Sequence, residues 1–138
     1  FARFIPEVME IIKLAGDIAG KHGMKTVAIY GDIKKELRGD IVQQFQTDSA
    51  TMVFVGQIDT AGTGITLTAA DTCVYYSENF NYATYEQSLS RIHRIGQRHP
   101  CTYIHLVAEK TVDELILKSL AAKEDLAKTI VDDWRQFF

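Results

Sequence analysis

The chain has 138 residues, 46% of them hydrophobic and 24% charged, with 9 glycines, 2 prolines and a net charge of −3. That is the length of one domain with apolar content enough for a core, which excludes disordered, collagenous and low-complexity classes. No apolar run approaches the roughly 20 residues that span a bilayer, and the mild acidity argues weakly against a nucleic-acid partner.

In chain order, Phe1–Phe4 reads as the stub of a strand. Val8, Ile11, Ile12, Ala15, Ile18 and Ala19 recur at helical spacing, with Pro6 in a first turn and Gly20 near the stop. Thr26–Tyr30 is a short apolar strand. Leu37, Ile41 and Phe45 mark a second amphipathic helix, which Asp32 is expected to start. Met52–Val55 is another strand, followed by a loop carrying Gly56, Gly62 and Gly64. Cys73–Tyr76 and Tyr103–Val107 are further strands, and a helix is expected between them from about Tyr82 to Ile95. Thr111-Val112-Asp113-Glu114 reads as a capping box at the start of a long closing helix. Strands alternating with helices, and apolar without polar alternation, predict an α/β fold with a mostly parallel sheet covered on both faces. A single domain over residues 1–138 is expected, and the abrupt start at Phe1 without an initiator Met reads as a piece of a longer chain.

Cys73 and Cys101 belong to no C-x-x-C pair and lie in apolar stretches, so buried thiols without a disulfide partner are expected, in a reducing compartment. No histidine pair has the spacing of a zinc site, and no metal ligand set is expected. Gly16–His22 falls one residue short of a phosphate-binding P-loop and lies at a helix end. Asp113-Glu114 follows a helix cap rather than a strand, which points to capping rather than magnesium chemistry.

The charge is unevenly placed. Between Gln87 and Ala108 there is no Asp or Glu, yet Arg91, Arg94 and Arg98 are there with three of the four histidines. The closing segment holds 7 acidic residues against 5 basic ones. On the expected helix, Gln87, Arg91 and Arg94 would fall within roughly 60° of one another at about 100° per residue. Tyr85, Leu89 and Ile92 would enter the core on the other side. Paired guanidiniums suit phosphate, because the planar fork keeps its charge and donates two parallel hydrogen bonds. The spacing therefore favours an anion site over a solvated salt-bridge face. The glycine loop Asp59–Thr66 follows a strand, where ligands bind in open α/β sheets. Its glycines and threonines can approach phosphate closely.

Gln87-Ser88-Leu89-Ser90-Arg91-Ile92-His93-Arg94-Ile95-Gly96-Gln97 closely resembles motif VI of the Swi/Snf-type ATPases, a branch of helicase superfamily two. Thr60–Ala70 resembles their motif V, Phe1–Phe4 the tail of motif IV, and Gly31 with Arg38 and Phe45 motif IVa. Thr111–Ile116 resembles the start of the family's closing helix. The chain departs from the pattern at Ala61, Thr66, Phe80, Tyr82 and Ser90.

The resemblance implies a RecA-like three-layer domain, the second lobe of a two-lobe ATP-dependent translocase on double-stranded DNA. The N-terminal RecA-like lobe would be its partner and would hold most of the ATP and Mg²⁺. By motif position, Arg94 would be the arginine finger with Arg91 assisting, and Gln87, Gly62 and Gly64 would face the nucleotide. Gly31, Lys35, Arg38, Thr60 and Thr66 would contact the nucleic-acid backbone. No membrane partner is implied, and the location would be cytoplasmic, or nuclear in a eukaryote. An RNA-directed helicase lobe and a stand-alone binding module that does not hydrolyse ATP are the alternatives.

Overall fold

A computed structural model describes residues 1–61, 64–78 and 80–136, with side chains up to residue 124. Helix α1 (Ile5–Lys21) has Pro6 in its first turn, and the Glu7 carboxylate accepts the Phe4 N–H at 3.2 Å. Strand β1 (Lys25–Ile29) pairs in parallel with β2 (Thr51–Gly56) across helix α2 (Lys35–Thr47). A four-residue helix α3 (Ile58–Ala61) follows β2. Strand β3 (Thr72–Tyr75) pairs in parallel with β4 (Thr102–His105), and α4 (Tyr82–Leu89) lies between them in sequence. Helix α5 (Val112–Gln136) closes the described chain.

The expected strand stub is a single parallel bridge, Ala2 to Gln57, and it joins the two strand pairs. On one side the Ala2 N–H reaches Gly56 O at 3.0 Å and the Ile58 N–H reaches Ala2 O at 2.9 Å. On the other, Phe1 N donates to Val74 O and the Tyr76 N–H to Phe1 O. The hydrogen-bonded order is thus β1, β2, Phe1–Ala2, β3, β4, with every link parallel. A cavity of about 540 Å³ lies between β2 and β3, lined by Phe1, Val53, Val55, Cys73 and Val74 among others.

Alternation along β1 and β2 sorts their side chains between two helices. Ala28, Val53 and Val55 pack with Val8, Ile11 and Ile12 of α1, while Val27 and Phe54 pack with Phe45 of α2. This half is a three-layer sandwich. On β3 and β4, Cys73, Tyr75 and Tyr103 join Leu67, Tyr85, Leu89 and Ile92 in the larger core. The opposite side chains, Val74, Tyr76, Ile104 and Leu106, are 41–50% exposed. Among the described residues, Tyr75 is the largest fully buried side chain. Its hydroxyl is hydrogen-bonded to Ser88 Oγ at 2.7 Å, and burial raises its pKa so that it stays protonated.

Two helix starts differ from the sequence expectation. α2 begins at Lys35 with Lys34 as its N-cap and no side-chain cap, three residues beyond Asp32. The Arg38 guanidinium folds back instead, giving Nε and Nη2 hydrogen bonds to Ile33 O at 3.1 and 2.9 Å, and it fixes residues 31–34 as a loop. At α5 the Thr111 hydroxyl accepts the Asp113 N–H, but Glu114 reaches the Lys110 N–H rather than that of Thr111. Asp113 accepts the Ala108 N–H. Both acids therefore tie down the segment ahead of α5 rather than capping its own N–H groups, and the reciprocal box is displaced by one residue.

Candidate nucleotide and nucleic-acid site

The helix expected to reach Ile95 stops at Leu89. Ser90 is its C-cap, with its hydroxyl donating to Gln87 O at 2.8 Å, and the chain continues in turns through Gly96. Gln87, Arg91 and Arg94 therefore do not share a helix face. Gln87 stays on the exposed surface of α4, while the two arginines lie beyond it.

The arginines are joined by the loop ahead of β3. The Leu67 N–H donates to Arg91 O at 2.9 Å, and Arg91 Nη1 donates to Ile65 O at 3.2 Å. Arg94 Nη1 donates to Thr66 Oγ1 at 3.0 Å. Three consecutive loop residues thus engage the Arg91–Arg94 turn. Arg91 is only 7% exposed, whereas Arg94 is on the surface. Burial, and then the neighbouring Arg94 charge, push the Arg91 pKa below its ordinary value. Two cations in mutual repulsion form a place where an anion lowers the energy. Ile92, between them in sequence, is 2% exposed and anchors the turn in the core.

A second cluster gathers around Gln57, at the carboxyl ends of β1 and β2. Its Oε1 accepts the Gly31 N–H at 2.9 Å and the Thr60 hydroxyl at 3.1 Å, and its Nε2 donates to Arg3 O at 3.3 Å. Gly31 and Thr60, both expected on nucleic acid, are brought together here. Lys35 stands exposed in the first turn of α2, and Arg38 is committed in part to Ile33 O. Thr66 is not in this cluster: it sits with Arg94. Gly64 is exposed at φ +76°, the left-handed region that favours glycine, and Gly62 lies outside the described residues.

Gln57 was not singled out from the sequence, since it belongs to no motif or periodic pattern, and Gln97 was read as the end of the motif VI match with no role of its own. Gln97 spans the junction of the Thr66 loop and the arginine turn. Glu78 and His105 were also missed as a pair. His105 Nδ1 is hydrogen-bonded to the largely buried Glu78 carboxylate, and its ring stacks on Tyr75 at 4.9 Å between centroids. His93 is exposed. Among the described residues, no three His, Cys, Asp or Glu side chains are grouped as metal ligands.

This parallel α/β sheet, with the paired arginines between β3 and β4 in the chain and a polar cluster after β1 and β2, has the RecA-like architecture. The family comparison agrees: residues 1–96 match the helicase conserved C-terminal domain, and the chain belongs to that family. Within it the lobe is of the Swi/Snf type. It is 38% identical over 97 residues to the Drosophila melanogaster SWI/SNF-related matrix-associated actin-dependent regulator of chromatin subfamily A containing DEAD/H box 1 homolog, covering 70% of this chain and 12% of that one. It is 30% identical over 132 residues to Helicase SWR1 of Saccharomyces cerevisiae, covering 96% and 9%. With the Pyricularia oryzae chromatin-remodeling ATPase INO80 it shares 30% identity over 125 residues, covering 91% and 6%. The chain thus spans about a tenth of the length of these relatives. The fold matches the crystal structure of the C-terminal part of the Fun30 ATPase domain at a TM-score of 0.74 and 22% identity, over 87% of this chain and 37% of that one.

Proposed function

We propose that this chain is the second motor lobe of an ATP-dependent translocase on double-stranded DNA, and that it supplies the arginine finger. The observation that carries this reading is the pairing of a buried Arg91 with an exposed Arg94 across one loop. Arg91 ties the turn to Ile65 O, so the exposed guanidinium of Arg94 starts from a fixed base. From there it donates N–H groups to phosphate oxygens presented by the opposite lobe. Beside it, Ile95 is fully exposed, an apolar side chain facing outward where that lobe would close.

ATP with Mg²⁺, when bound, supplies the phosphoryl group that is transferred to water, held mainly by the first lobe. The paired guanidiniums fit its phosphates, which answer the repulsion between Arg91 and Arg94. Arg94 stabilises charge that develops as the phosphoryl group leaves, an effect worth roughly 10³–10⁵ in rate. By motif position, Gln87 and Gly64 border the nucleotide. On the other side, Gly31, Lys35, Arg38 and Thr60 meet the DNA backbone, and Thr66 meets it from beside Arg94, a sequence-independent grip suited to tracking. Thr66 bonds Arg94, so one loop touches both functions. Differential binding of nucleotide to the closed pair of lobes then alternates the grip. Such a motor works in the nucleus of a eukaryote or in the cytoplasm of a bacterium.

The experiment is ATP turnover by the full-length protein with duplex DNA and with RNA. Stimulation by duplex DNA is expected. Stimulation by RNA alone would make it an RNA-directed lobe, and no turnover under any condition would make it a binding module.

A further inference from the structure

The Gln97 carboxamide is half-buried where two backbone segments meet. Its Nε2 donates to the carbonyls of Thr68, Ala70 and Ile92 at 3.3, 2.7 and 3.1 Å. Its Oε1 accepts the N–H groups of Arg98 and His99 at 2.9 and 3.0 Å. A primary amide has two N–H donors and two acceptor lone pairs, so these partners take up its whole capacity, with one N–H shared. Gly96, at φ +104°, turns the chain so that Gln97 doubles back under the turn, and the Gln97 N–H closes it on Arg94 O at 2.9 Å.

These bonds span both sides of the arginine site. Thr68 and Ala70 continue the loop that presents Ile65 and Thr66 to the arginines. Ile92 O lies between Arg91 and Arg94 in the chain, and Arg98 N and His99 N begin the path to β4. One side chain therefore sets the distance between the loop and the turn. We infer that Gln97 is a positioning residue, which holds the Arg94 main chain in register with the Ile65–Ala70 loop so that the guanidinium is aimed before nucleotide arrives. The inference rests on Arg94 acting on phosphate. It asks of position 97 both donors and an acceptor at this reach, which glutamine alone provides: glutamate sets a carboxylate against three carbonyl oxygens, methionine offers neither, and asparagine is one methylene short.

The test uses the full-length protein with Gln97→Met, Gln97→Glu and, as reference, Arg94→Ala. Gln97→Met is expected to lower kcat for ATP ten- to a hundredfold with KM within about twofold, since a misplacement of about 1 Å costs up to 10²-fold. Gln97→Glu is expected to be at least as slow at neutral pH. Its deficit relative to wild type shrinks as pH falls, because a protonated carboxyl regains one O–H donor. Plain support of the fold predicts instead that only the melting temperature falls while kcat per folded molecule stays at the wild-type value at every pH, and that result overturns the proposal. Hydrogen exchange on the same variants is expected to speed at the Leu67 and Gln97 amides and to be unchanged in β1. If Gln97→Met does not fold, the pH profile of Gln97→Glu decides alone. Wild-type turnover in the Gln97 variants beside an inactive Arg94→Ala removes the role of Gln97 and leaves the finger. Near-normal turnover in Arg94→Ala removes the finger, and this proposal with it.

Discussion

The cluster around Gln57 is built from neutral groups: a backbone N–H of Gly31, the Thr60 hydroxyl and the Arg3 carbonyl. The junction closed by Gln97 is built around two guanidiniums, one of them buried. Both use a glutamine to tie together loops distant in sequence, yet they suit different chemistry. At the ends of β1 and β2 the Gly31 N–H and the Thr60 hydroxyl are both given to Gln57, so neutral groups hold these loops together without a large desolvation cost. A buried Arg91 is costly to hold, and its energy is recovered only if its hydrogen bonds are kept. The first cluster joins loops through neutral groups, and the second fixes the turn that carries a charged one.

Ile92→Ala should break the comparison most strongly. It removes a 2% exposed side chain from beneath the arginine turn, at a cost of about 2–5 kcal/mol in denaturant unfolding. The two arginines should then separate the buried role from the exposed one. Arg91→Ala is expected to cost about 1.5–3 kcal/mol, the range for a hydrogen bond to a charged group. Arg94→Ala should change unfolding by less than about 0.5 kcal/mol, as surface substitutions do. Equal costs would mean that the two guanidiniums share one environment. Gln57→Leu should cost about 1 kcal/mol and weaken duplex-DNA binding several-fold while leaving ATP binding unchanged.

The smallest effect lies far from both clusters, in a staple between the start of β1 and the turn before β2. The Lys25 ammonium, 2.9 Å away, holds the Asp48 carboxyl at about 2, helped by the Ala50 N–H and the Thr51 hydroxyl. Its stabilisation is complete above the ordinary carboxylate value of 3.8 and is lost as pH falls through about 2. Asp48→Asn should therefore flatten the melting temperature between pH 4 and pH 2 relative to wild type. An unchanged acid limb in the variant would mean that other carboxylates set it.

The strands were legible because each is a short apolar run between turn residues, and observed ends differ from the expected ones by only one or two residues. The end of α4 was not. Tyr85, Leu89 and Ile92 keep helical spacing although the helix has stopped, because Ile92 reaches the same core from a turn. What ends the helix is local: Ser90 bonds back to Gln87 O, and Gly96 reverses the chain. The start of α2 was misread because the cap at Asp32 was expected to win, whereas Arg38 secures the loop from within the helix. In the site, Arg91 and Arg94 stood out by charge and motif. Their bonds to Ile65 and Thr66, and that of Gln57 to Arg3 O, are contacts across 26–54 residues, and no local pattern carries them; Gln97 was visible as a motif residue, but its bonds to Thr68 O and Ala70 O were not.

The central claim is that Arg94 acts on the phosphoryl group rather than on the fold or on nucleotide affinity. Single-turnover ATP hydrolysis by the full-length Arg94→Ala protein on duplex DNA, with ATP affinity measured separately, tests it most directly. A loss of roughly 10³-fold or more in the hydrolysis rate, with affinity within a few-fold of wild type, is the expected result. Near-normal hydrolysis would contradict it, and the exposed guanidinium beside Thr66 would then be a surface contact of the loop.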